Sequence, residues 1–365
     1  MRHAIMNRAI VVVAVLALGL IFGPRPASSA TIVIINNDGP GEGFNDPTPV
    51  APVGGNPGTT LGQQRLNAFQ YAADLWGQDL FSTVTIDVEA QMDPLFCDAT
   101  SAVLGSAGAT YIHRDWTSGN PPPRAATWYT QAEANAISGV DQNPGTAEIS
   151  ATFNSDLNGD PGCLGGIGWY YGYDQSPGGD IDFVTVVFHE IAHGLGFLTF
   201  VDLNTGEKLL GFDDTYEWNM ERHFAVPADY PSMTDAQRAS ANTSDPNLHW
   251  IGPVVNTIAP GILTAGISNG HVRLYGPNPV QPGSSLSHWS TALSPNQVME
   301  PSYTGPDHDG ALELGLFEDI GWPIISDDEP AVPSASLWGL VILGLVVVSA
   351  GAFVLRRRSG ASSEA

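Results

Sequence analysis

The sequence predicts an α/β (α+β) fold, with a mixed sheet and two helices in the first half and an irregular second half. Three observations carry this. Short alternating or apolar runs that read as strands are interleaved with two helical periodicities before residue 197. After it, Gly, Pro and Asn are frequent and periodic segments are few. The order strand, helix, strand, strand, helix is that of a layered sheet-and-helix domain.

The elements follow in order. Thr31–Ile35 (TIVII) is a short apolar strand, and residues 36–60, rich in Gly, Pro and Asn, form a loop. Between Leu61 and Leu80, apolar residues at Leu66, Phe69, Ala73 and Trp76 keep a helical period. Val84–Ala90 and Ala147–Phe153 alternate as strands do, with a loop-rich region between them. Phe183–Leu195 is the second helix. In the second half, Thr234 followed by Gln237 signals a capping box for a helix to about Ala241. His271–Tyr275 reads as a strand, and Ala311–Ile320 as a helix ending before Gly321.

Both ends read as targeting segments. Arg2 and Arg8 precede an apolar run from Ala9 to Phe22 and then small residues to Ala30, the order of a signal peptide cut after Ala30. Leu337–Leu355 is uncharged and closes on Arg356, Arg357 and Arg358. As a helix it is about 28 Å long, enough to span a bilayer with the arginines cytoplasmic and the body outside. The expected division is therefore 1–30 signal, 31–197 N-terminal subdomain, 198–325 C-terminal subdomain, and 326–365 tail.

The formal net charge is −25, and six of the 13 Lys and Arg residues lie in those end segments. So acidic a body excludes nucleic acid and anionic membrane surfaces as partners. The two cysteines, Cys97 and Cys163, most simply form one disulfide in an exported chain. Closing that loop is worth roughly 4 kcal/mol on the chain-entropy model.

The chemistry points to Phe188-His189-Glu190-Ile191-Ala192-His193-Gly194-Leu195-Gly196. Residues four apart share a helix face, so His189 and His193 can bind one Zn2+. Val184, Val187, Phe188, Ile191 and Leu195 fall on the opposite face and would bury the helix. Glu190 stands beside the metal rather than on it, where a carboxylate can act as general base toward water. Gly196 can adopt positive φ and end the helix. Catalytic zinc needs a third protein ligand and an open position. The residues alone leave His223, His249, His271, His288, His308, Glu217 and Glu221 as candidates. Asp156, Asn158 and Asp160 suggest a weak Ca2+ loop, with Pro161 where such loops carry glycine.

From about Ile181 to Trp322 the chain resembles the leishmanolysin-type metzincins. Most metzincins continue Gly-x-x-His after the second ligand; here Thr199 occupies that His position. The resembling family inserts a long segment and supplies its third His before a methionine turn, as His288-Trp289 precedes Met299-Glu300-Pro301 here. The resemblance implies a metzincin-like zincin fold, His288 as third ligand and Met299 beneath the metal. It implies a zinc endopeptidase acting on protein or peptide substrates, with extended substrate along an edge strand such as Ala147–Phe153. Tyr303 follows the methionine at a spacing that differs from the family's, so packing is its expected role. His113, His223, His249, His271 and His308 are left as structural or solvated. Val332–Gly339 (VPSASLWG), with the span and Arg cluster, resembles IPTL-type and PEP-type sorting signals. That implies an exosortase-like processing partner, membrane attachment before processing, and a cell-surface or extracellular location. The alternatives from the residues are an exported metal-binding adhesion protein without catalysis, and a hydrolase of a non-peptide bond.

Overall fold

The computed structural model describes residues 29–226 and 228–325. The elements are β1 Ile32–Asn36, α1 Leu61–Asp79, β2 Ile86–Asp93, β3 Gly105–Ala109, β4 Ile112–His113, β5 Thr127–Thr130, α2 Gln131–Ser138, β6 Ile149–Asn154, β7 Trp169–Tyr170, β8 Ile181–Asp182 and α3 Phe183–Leu195. Then come β9 Asp213–Asp214, β10 Met220–Arg222, α4 Asp235–Ala241, β11 Leu248–Trp250, α5 Pro253–Ile262, β12 Ile267–Ser268, β13 His271–Arg273 and α6 Ala311–Ile320. Several sheets with six helices among the described residues make this a mixed α+β fold.

The main sheet has the order β1-β2-β6-β3. The first three strands are parallel, and β3 pairs antiparallel with β6. Alternation explains β2 and β6: Ile86, Val88, Ala90 and Met92, and Ile149, Ala151 and Phe153, all point into the core. Parallel neighbours need a crossover, which α1 supplies between β1 and β2. Thr60 caps α1 by accepting from the Gln63 amide, and the helix buries Ala68, Phe69, Ala72, Ala73 and Trp76. It packs against β1 and α3, and α3 also packs against β3 and β6.

The resemblance implies an edge position for Ala147–Phe153, but β6 lies between β2 and β3. The edge belongs to β3, whose sequence GSAGA lacks the branched and aromatic residues that signal a strand.

The second half holds an antiparallel sheet of order β10-β11-β13-β12. Helix α5 begins at Pro253 without a local side-chain cap. Asp319, on α6, caps it instead: its carboxylate accepts from the Val254 and Val255 amides at 2.8 and 3.1 Å, and from Trp250 Nε1 at 3.0 Å. One hydrophobic core joins both halves. Phe197, Tyr216, Trp250 and Trp289 are fully buried and meet edge-on or tilted, with centroids 4.8–6.2 Å apart.

Cys97 and Cys163 form a disulfide across 66 positions. Ala30, at the expected signal cut, is buried, and its amide donates to Leu80 O at 2.8 Å. The expected signal segment before residue 29, the apolar run Leu337–Leu355 and the sorting motif lie outside the described residues. Among the described residues no helix is long and apolar enough to cross a membrane.

Candidate metal centre

Helix α3 carries the first two imidazoles, and its placement follows from both of its ends. Asp182 caps the start, accepting from the Thr185 amide at 2.7 Å and the Thr185 hydroxyl at 2.8 Å. At the other end Gly196 has φ 128°, and its amide reaches Ala192 O and His193 O. Trp322 Nε1 and the Thr130 hydroxyl both donate to Leu195 O, a carbonyl that the helix leaves without an internal partner. Trp76 stacks on Phe188 at 4.0 Å and donates to its carbonyl. Gly194 lets the helix approach β6: a Cβ there would lie 2.5 Å from Ile149 Cγ2.

Three imidazoles converge. His189 Nε2 lies 3.2 Å from His193 Nε2 and 3.1 Å from His288 Nε2. In each ring the other nitrogen, Nδ1, faces a backbone carbonyl: Val298 O at 2.7 Å, Phe197 O at 2.8 Å and Ser284 O at 2.8 Å respectively. A carbonyl only accepts, so each Nδ1 carries a hydrogen. Burial pushes His189 down to about 4 and His193 down to about 3, and lowers His288 far below the usual histidine range. At neutral pH all three rings are therefore neutral, with bare Nε2 atoms. Three lone pairs facing one another repel unless a cation lies between them. Ligands 2.0–2.1 Å from a tetrahedral zinc are about 3.3 Å apart, close to the spacing here. The donor set thus fits zinc.

Glu190 follows the first ligand and is only 8% exposed. Burial pushes its carboxyl up to about 8, partly offset by a hydrogen bond from the Ala107 amide on the edge strand β3. Gly105 on the same strand allows this approach, since a Cβ there would lie 3.0 Å from Glu190 Cγ and 3.2 Å from Oε1. The carboxylate and the outer rim of the sheet are thus side by side.

The segment bearing His288 is braced by a buried glutamate. Glu313 Oε1, on α6, accepts from Trp289 Nε1 at 2.9 Å and the Met299 amide at 3.3 Å. The Trp289 amide in turn donates to Met299 O at 2.9 Å. Burial pushes Glu313 up to about 8. Met299 is fully buried. Thr199 approaches this segment too: its amide lies 3.2 Å from Ser287 Oγ, so the long insertion returns His288 next to the position that Thr199 occupies.

The remaining candidates stand elsewhere. Glu217 is buried 3.4 Å from Lys208 Nζ, and burial with nearby Asp214 pushes it up to about 10. Glu221, His223 and His271 form a separate group, and His249 stacks on His223. His308 Nε2 bonds Asp182 Oδ1 at 2.9 Å, and His113 lies in β4. Tyr303 Oη accepts from the Asp182 amide at 3.1 Å, behind the start of α3. In the expected calcium loop, Asn158 Oδ1 and Asp160 Oδ1 accept from the loop's own amides at Asp160 and Gly162. The sequence gives no sign of β3 or of the role of Glu313. Neither carries a motif, and Glu313 sits in an ordinary helical period.

No protein-family model matches the sequence, and no curated protein matches it closely enough to count as a relative.

Proposed function

We propose that the chain is an exported, zinc-dependent endopeptidase of the metzincin type, with His189, His193 and His288 as ligands and Glu190 as general base. The reading rests on one observation above all: three neutral imidazoles direct bare Nε2 atoms at a common point. The antiparallel edge strand beside Glu190, the glycine turn after α3 and the buried Met299 after His288 support the metzincin comparison. The disulfide supports an oxidising compartment.

Zinc held there would supply a Lewis acid that acidifies water and polarises a carbonyl. The chain's own residues do the rest. Glu190 takes a proton from the attacking water at its carboxylate and delivers it to the leaving amine. An extended peptide adds to the free edge of β3, where backbone hydrogen bonds fix its register. Small side chains along Gly105–Ala109 leave room for its side chains.

Casein hydrolysis by the purified chain, with and without 1,10-phenanthroline, tests the reading. Chelator-sensitive cleavage that disappears in Glu190→Ala is expected. Equal cleavage by chelated and untreated chain, or by wild type and that variant, would overturn it.

A further inference from the structure

A second set of ligand side chains lies in the small antiparallel sheet, on elements that supply no ligand to the first. Glu221 is in β10, His223 follows that strand, and His271 opens β13. β10 and β13 flank β11, so the group reaches across the middle strand. Glu221 Oε1 lies 2.6 Å from His271 Nδ1 and contacts His223 Nε2, and the two nitrogens are 3.2 Å apart. That nitrogen separation equals the one between His189 and His193.

The surroundings hold His223 in place. His249 is fully buried, lies opposite Glu221 in the strand register and stacks on His223 with centroids 3.7 Å apart. The Asn269 side-chain amide is 3.2 Å from His223 Nδ1. As placed, Asn269 Nδ2 donates to Nδ1 and the Nε2 hydrogen faces Glu221; turning the amide so that it accepts from Nδ1 would free the Nε2 lone pair for an ion. The His223 and Glu221 side chains are 8% and 16% exposed, and His271 is 32% exposed. The three donors are therefore shielded on one side and open to water on the other. Without an ion, one carboxylate oxygen must receive N–H groups from two rings that face each other. A divalent ion satisfies all three donors at once.

We propose that Glu221, His223 and His271 form a second metal site for a divalent transition ion of the zinc class, one that ties β10 to β13. Two imidazoles and a carboxylate suit that class and leave room for water ligands.

The test is zinc uptake by the full chain, stripped by chelator and titrated with Zn2+ alone, with circular dichroism as a check on folding. Wild type should bind two ions. Glu221→Gln and His271→Gln should each bind one, with affinity for the other weakened at least tenfold. His288→Ala should also bind one, and His288→Ala with Glu221→Gln none. The ion left in His288→Ala should raise its Tm. Should His271→Gln fail to fold, a Co2+ titration of His288→Ala decides, with visible d–d absorption expected. One ion in wild type that is lost in His288→Ala, unchanged uptake in both Glu221→Gln and His271→Gln, or a featureless Co2+ spectrum would overturn the proposal. Undiminished uptake by His288→Ala would instead count against the first centre.

Discussion

His189 Nδ1 and Val298 O lie 2.7 Å apart although 109 positions separate them in the chain. The carbonyl before Met299 thus fixes which nitrogen of His189 is bare. The same short segment contacts Glu313 through the Met299 amide. A metal-ligating histidine is commonly oriented through its second nitrogen, and weakening that contact typically costs 10–100-fold in affinity.

Glu190→Gln keeps the shape of the side chain and removes the base. Casein hydrolysis is expected to fall by about 10²–10⁴-fold. Metal content, measured by atomic absorption, should stay at the wild-type value. Loss of metal together with activity would mean that Glu190 holds the ion rather than the proton.

His288→Ala leaves only the helical pair. Zinc affinity at the first centre is expected to fall at least about 100-fold, since even an indirect partner of a ligand contributes that much. Competition with a chromogenic chelator measures it. Affinity within a factor of two of wild type would remove His288 from the ligand set.

Gly194→Ala sets two effects against each other. Alanine favours a helix by about 1 kcal/mol over glycine. The new Cβ, however, would sit 2.5–2.7 Å from three carbons of fully buried Ile149. Overpacking of that kind typically costs about 1–3 kcal/mol, so net destabilisation is expected in urea unfolding. A stabilised variant would show that α3 and β6 have slack.

Glu313→Gln should change stability in a pH-dependent way. Burial raises Glu313 in the folded chain to about 8, from an ordinary value near 4.5. A raised carboxyl contributes stability that is complete below the unfolded value and is lost as pH rises through the folded one. Glutamine keeps an oxygen for Trp289 and Met299 but does not ionise. The variant's Tm relative to wild type should therefore increase between pH 5 and pH 9. A constant difference across that range would contradict the burial argument.

Helix α3 was legible because everything that builds it is local: the apolar period, the pair of histidines one turn apart and the glycine that ends it. The boundaries Phe183–Leu195 agree with the structure for that reason. Helix α4 likewise announced itself through Thr234 and Gln237, which form the capping box. Helix α5 did not, because its capping carboxylate, Asp319, lies 65 positions from Val254. Strand β3 was hidden because its small residues answer to the approach of Glu190 rather than to strand preference. Glu221, His223 and His271 stood among the candidates for a third ligand, but nothing in the sequence marked them as a group of their own, since they meet only through strand pairing.

His189 and His288 are 99 positions apart, and the insertion between them folds into its own sheet and helices. On the proposed function, a chain emerging on the far side of a membrane would carry only two of its three imidazoles until that insertion had collapsed. Metal capture would then be one of the last events of maturation. On the proposed activity, the nascent polypeptide is harmless to the machinery that exports it, a form of latency set by timing alone.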